Sequence, residues 1–171
     1  MKQLGAVIAF GVVGIGLASG CLAAQQATAT IKGTRPDSKI SGTTTVTPVS
    51  GGVKVSIRVT NVSAGPHGIH IHEKGDCGDT AKAAGGHFNP QSVKHGFLPK
   101  DGPTGAHAGD MGNINVGPDG AGGLDLMLPG LTVDGVVGHA IILHEKVDDF
   151  SQPTGNAGSR IGCGVITAPK T

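Results

Sequence analysis

A chain of 171 residues with 15% charged residues and a formal net charge of +1 has room for one domain and little for a second. That balance excludes the basic footprint of nucleic-acid binding and the low-hydrophobicity, high-charge signature of disorder. Glycine is the outlier, 31 of 171, about 18% against roughly 7% in average proteins; without a collagen-like period it reads as the turns and loops of an all-β chain.

Met1 and Lys2 precede an apolar run from Leu4 to Leu17, then Ala18, Ser19 and Gly20. This is the layout of a secretory signal, and the run is too short and glycine-rich for a membrane-spanning helix. Two cleavage points fit. Cutting after Ala24 makes residues 1–24 a signal peptide and 25–171 a free domain. Cutting after Gly20 leaves Cys21 first, because Leu17-Ala18-Ser19-Gly20-Cys21 resembles a bacterial lipobox with its leucine one position too far upstream. Both predict export, with a lipid on Cys21 and membrane attachment in the second case. In an oxidising compartment Cys77 and Cys163 are then an even pair. A bridge between them would close 163 − 77 = 86 residues; the alternative is two unrelated buried thiols.

Further along, Val53, Val55, Ile57 and Val59 alternate with Lys54, Ser56, Arg58 and Thr60, a strand with one buried face. Similar runs at 29–34, 41–46, 69–72, 112–116, 124–128, 140–144 and 160–166 bring the count to eight. Separated by Gly, Pro and Asp, they predict an eight-stranded Greek-key β-barrel or sandwich. No window shows helical periodicity. Two long loops, Glu73 to about Asp110 and Glu145 to Ser159, each follow a histidine-bearing strand, and long loops in compact β domains are usually functional.

Six of the eight histidines fall into two groups. His70 and His72 share one face of a strand while Ile69 and Ile71 face the core, and His144 ends another apolar strand; such paired imidazoles chelate copper or zinc. In the long loop His87, His95 and His107, with Asp110, make a complete tetrahedral shell of the kind that holds structural zinc. Two metals are therefore expected. His67 and His139 are left over and are not read as ligands.

The segments His70-Ile71-His72-Glu73, Gly86-His87-Phe88-Asn89-Pro90, Lys94-His95-Gly96, His107-Ala108-Gly109-Asp110, His144-Glu145-Lys146-Val147-Asp148-Asp149 and Gly155-Asn156-Ala157-Gly158-Ser159-Arg160-Ile161-Gly162-Cys163 resemble copper,zinc superoxide dismutase of the bacterial exported type, over essentially all of residues 29–168. The resemblance implies one copper and one zinc per subunit. Copper would be held by His70, His72, His87 and His144, and zinc by His87, His95, His107 and Asp110, with His87 bridging both. It also implies that Asp148 links His70 to His95, that Arg160 orients the superoxide anion, and that Cys77 and Cys163 form the intrasubunit disulfide. The implied reaction is dismutation of superoxide to dioxygen and hydrogen peroxide, with the bridging His87 as proton relay, protecting the cell envelope from the periplasm.

Where the eukaryotic branch has a longer, charged loop, Val147-Asp148-Asp149-Phe150-Ser151-Gln152-Pro153-Thr154 contains no Lys or Arg. Steering of the anion must come from elsewhere, with Lys74, Lys82, Lys94, Lys100 and Lys146 as candidates. For Arg160 the alternative is a salt bridge that braces the loop. The assembly expected is a monomer or a homodimer, with no nucleic-acid partner. A metal carrier on the same fold would be expected to lack copper ligands or add a Cys-x-x-Cys module. A three-histidine zinc hydrolase leaves the second histidine set without a role.

Overall fold

The computed structural model describes residues 25–169, and the leader and Cys21 lie outside them. Eight strands close into a barrel: β1 (Ala27–Gly33), β2 (Ser41–Val49), β3 (Gly52–Thr60), β4 (Gly65–His72), β5 (Asp110–Val116), β6 (Gly122–Pro129), β7 (Ala140–His144) and β8 (Arg160–Val165). Their order around the barrel is β1-β2-β3-β6-β5-β4-β7-β8, with β8 returning to β1. Every neighbouring pair is antiparallel, and the two crossings, β3 to β4 and β6 to β7, make it a Greek key as expected.

Alternation builds the core. Val53, Val55, Ile57 and Val59 of β3 are buried, opposite Leu128, Leu126 and Leu124 of β6 in the register Val53↔Leu128, Val55↔Leu126 and Ile57↔Leu124. Ile31, Val46, Ile69, Ile71, Ile114, Ile141, Leu143 and Ile166 complete the apolar interior. The strands are longer than their apolar runs. β2 extends through Pro48, whose partner is Val53 near the hairpin end, a place where a missing N–H is tolerated. Three single-turn helices, Lys82–Ala84, Leu98–Asp101 and Val133–Val136, interrupt the loops; one turn is too short to give the periodicity that would predict it.

Strand β4 differs from the others. From His67 to His72 every residue is buried, because the loops 73–109 and 145–159 cover its outer face. The inner face holds Ile69 and Ile71, and the outer face carries His70 and His72. A bulge lies between Gly68 and His70 against β5, and another between Leu143 and His144 against β8. Bulges re-aim side chains beside functional sites, and these two fall at histidines.

The 73–109 loop is tied down at its start and middle, and Ile71 N–H donates to Gly109 O (2.9 Å) at its end. Glu73 N–H donates to Gly86 O (3.0 Å), and Phe88 N–H donates to Ile71 O (2.9 Å). Cys77 and Cys163 form a disulfide, closing an 86-residue separation and fastening the start of the loop to β8.

Candidate metal centre

The fold brings six histidines and two aspartates together beside β4, all but sealed from solvent. His70, His72, His87 and His144 can each present one ligand atom within 4.8 Å of the others, and so can His87, His95, His107 and Asp110. His87 stands in both sets. Its ring stacks on His70 with centroids 4.1 Å apart, while its Nδ1 lies 2.9 Å from Asp110 Oδ1 and 3.3 Å from His107 Nδ1. Nε2 is therefore the nitrogen left for the first set.

Second partners choose the nitrogen that each remaining ring offers. His70 Nε2 lies 2.8 Å from Asp148 Oδ2, His72 Nδ1 is 2.9 Å from Gly85 O, and His144 Nδ1 is 3.3 Å from Gly158 O. In each case the opposite nitrogen, His70 Nδ1, His72 Nε2 and His144 Nε2, is buried with no hydrogen-bond partner. His95 repeats the pattern: Nε2 meets Asp148 Oδ1 at 3.0 Å, and Nδ1 sits 2.9 Å from Asp110 Oδ2 without hydrogen-bond alignment. Buried polar atoms are ordinarily satisfied. Three of these nitrogens converge within the first set and the fourth, His95 Nδ1, faces Asp110 in the second; the donor sets suit copper on one side and zinc on the other. The residues fit the metals.

Electrostatics agree. Burial pushes the imidazoles of His70, His72 and His144 down, to about 4, about 2 and about 3, so all three are neutral and available as ligands. Burial alone would raise the carboxyls of Asp110 and Asp148, but contacts with His87 and His95, and with His70 and His95, outweigh it and hold both well below the usual range. Burial likewise opposes charge on His95, and the carboxylates of Asp110 and Asp148, one beside each ring nitrogen, overcome it, raising that imidazole to about 9. Asp110 also accepts the N–H groups of Gly96 (2.8 Å) and His107 (2.9 Å).

A cleft of about 370 Å³ leads to the first set, lined by His72, His87, His144, Thr154, Asn156 and Arg160 among others. Among the described residues Arg160 makes no salt bridge; its guanidinium donates to Ala81 O and Gly85 O, both at 2.6 Å. It thus braces the loop, through carbonyls rather than a carboxylate, with its charge on the cleft wall. Of the five lysines, Lys82 lines the adjoining cleft with Arg160 and Arg35, whereas Lys94 and Lys100 line a separate one beside Phe97 and Phe150. Arg35 has no signal in the sequence that points to this position.

The spare histidines serve as braces. His67 is buried with Nδ1 2.9 Å from His144 O and Nε2 2.8 Å from Ser63 O. His139 packs against Phe88 with the rings tilted by 38° and reaches His72 O at 3.2 Å. Two further supports have no local signature. Asn113 clamps the backbone of Asp148, accepting its N–H at 2.7 Å and donating to its carbonyl at 2.9 Å. Gln152 does the same for His95.

A closed Greek-key barrel whose outer face carries two potential metal-ligand sets sharing one histidine has the architecture of a dinuclear metalloprotein. The chain belongs to the copper/zinc superoxide dismutase family, whose model matches residues 40–166. It is 41% identical over 145 residues to the superoxide dismutase (Cu-Zn) of Deinococcus radiodurans, covering 76% of this chain and 79% of that one. It is 40% identical over 124 residues to the extracellular superoxide dismutase (Cu-Zn) of Caenorhabditis elegans, covering 67% of this chain and 55% of that longer one. The crystal structure of the clock protein EA4 superposes with a TM-score of 0.76 at 34% identity, covering 88% of this chain and 98% of that one. The reaction is dismutation of superoxide, and the cofactors are copper and zinc.

Proposed function

We propose that copper is held by His70, His72, His87 and His144 and zinc by His87, His95, His107 and Asp110, and that His87 and Arg160 act on the substrate. The observation that carries this reading is the set of buried nitrogens without partners, each opposite a ring nitrogen already engaged. Held by these residues, copper would supply a one-electron redox couple, and zinc would serve as a structural ion. Two superoxide anions and two protons give dioxygen and hydrogen peroxide. Arg160, pinned by the carbonyls of Ala81 and Gly85, places a positive charge where the anion enters. His87 Nε2 is the atom at which a proton is taken up and passed to the reduced substrate, its Nδ1 being committed to the Asp110 side. Asp148 holds His70 and His95 through their Nε2 atoms, fixing the tautomers that leave both Nδ1 atoms for metal.

Dismutation measured on the same samples in which copper and zinc are counted tests the assignment. His144→Ala is expected to lose copper and activity while keeping zinc, and His107→Ala to lose zinc first. Copper retained in full by His144→Ala, or lost first in His107→Ala, would overturn it.

The chain is further read as exported, residues 1–24 being the secretory leader and 25–171 the dismutase domain that protects the cell envelope. The apolar run from Leu4 to Leu17, the disulfide and the word extracellular in the name of the nematode relative support this. A periplasmic location with a lipid on Cys21 is the finer form of the same reading. No helix among the described residues is long and apolar enough to cross a membrane. Mass spectrometry of the mature N-terminus distinguishes Gln25 from acylated Cys21, and sedimentation distinguishes monomer from homodimer.

A further inference from the structure

His95 sits in a stretch with no regular secondary structure, so no strand or helix ladder satisfies its backbone. Both of its backbone groups go instead to one side chain 57 residues away. His95 N–H donates to Gln152 Oε1 at 3.0 Å, and Gln152 Nε2 donates to His95 O at 2.9 Å. An N–H can only donate and a carbonyl can only accept, so the amide orientation is fixed by its partners. Only a side chain with one donor and one acceptor at its tip serves both.

The rest of His95 is gripped by the same short segment. Phe150 lies nearly parallel to the imidazole, at 19° with centroids 6.2 Å apart, and Phe150 N–H donates at 2.8 Å to the Asp148 Oδ1 that also meets His95 Nε2. Residues 148–152 therefore hold the backbone, one ring face and one ring nitrogen of His95. The remaining nitrogen, Nδ1, faces Asp110.

We propose that Gln152 is a positioning residue for zinc: by clamping the His95 backbone it sets how firmly the zinc site holds its ion. The inference rests on the assignment of His95 to zinc made above. Gln152 is itself exposed and contributes nothing to the apolar interior, so its replacement tests the clamp without opening the core.

The test uses the mature chain loaded with both metals. Zinc transfer to a chromophoric chelator is timed, copper release is followed separately, and the visible spectrum is recorded after cobalt(II) replaces zinc. Outer-shell partners of metal ligands typically govern 10–100-fold in metal affinity. Gln152→Ala is therefore expected to release zinc about tenfold faster and to shift the cobalt bands, with copper release unchanged. Gln152→Glu keeps an acceptor for the His95 N–H but turns an oxygen toward its carbonyl, so it falls short of full rescue. Zinc release within about twofold of the parent in Gln152→Ala, or zinc and copper release accelerated equally, overturns the clamp. His95→Ala separates this failure from that of the underlying assignment, because full zinc retention in that variant refutes His95 as a ligand and the clamp with it.

Discussion

At Asp148 a single buried carboxylate orients one ring in each metal set, with Oδ2 toward His70 Nε2 and Oδ1 toward His95 Nε2. An amide in its place accepts at one oxygen only and presents an NH₂ to the other ring, forcing one histidine into the wrong tautomer. Asp148→Asn is therefore expected to weaken zinc binding by 10- to 100-fold, read by competition with a chelator at neutral pH. Protonation acts on the same side chains. Since burial holds His70, His72 and His144 at about 4, about 2 and about 3, the unfolded chain takes up protons below about 6.5 that the folded chain refuses. The metal-free protein should lose stability steadily as the pH falls from about 6.5 toward 4. His95, raised to about 9, works in the opposite sense. Its contribution is complete below about 6.5 and is lost as the pH rises through 9. Thermal melts of metal-free protein should decline below about pH 6.5, where the His95 contribution is already constant and the three lowered histidines alone among these four still change it; a flat acid limb contradicts the assignment of neutral buried rings.

Among the elements, β4 and the loop 145–159 show how close the packing around the centre is. Gly155 has a φ of +74°, and a Cβ there would meet Asp148 Oδ1 and, at 2.8 Å, His95 Nε2. Gly155→Ala is thus expected to push the Asp148 carboxylate off His95, shortening zinc retention and lowering the melting temperature together. The barrel itself is legible from the chain, because period-2 alternation survives wherever one face meets the core and the other meets water, as in β3. It fades where glycine or proline carries the strand, as in Gly65-Pro66 of β4, Pro48 of β2 and Gly122-Gly123 of β6. The histidines announce themselves by residue type and spacing. The clamps do not: Gln152 and Asn113 reach His95 and Asp148 across 57 and 35 residues, and an amide in a loop carries no mark of the backbone it will hold. Arg35 beside Arg160 is hidden in the same way, since its place depends on how β1 and β8 meet.

For the molecule as a whole, the disulfide joins the metal centre to the barrel's stability. Its loop spans 86 residues, for which chain entropy gives about 4.6 kcal/mol of stabilisation. The stretch it anchors carries Ala81 and Gly85, whose carbonyls hold Arg160, and Gly85 also holds His72. The double variant Cys77→Ser, Cys163→Ser is expected to lose stability in urea by about that amount. Its activity per bound copper should fall as well, because Arg160 loses its fixed position. Unchanged activity per copper would detach Arg160 from this loop.

The barrel closes through a narrow seam. Strands β1 and β8 share only the pairs Lys32↔Cys163 and Gly33↔Gly162, backed by the bridge Thr28↔Thr167, while β2 and β3 share nine. One of those seam residues is the half-cystine Cys163. Among the described residues closure leaves no free edge strand to which another chain could add, and unpaired edges are templates for self-association. Reduction would release a residue that fastens this short closure and expose the edges of β1 and β8 together. The same bond that steadies Arg160 is thus also a guard against edge-to-edge aggregation.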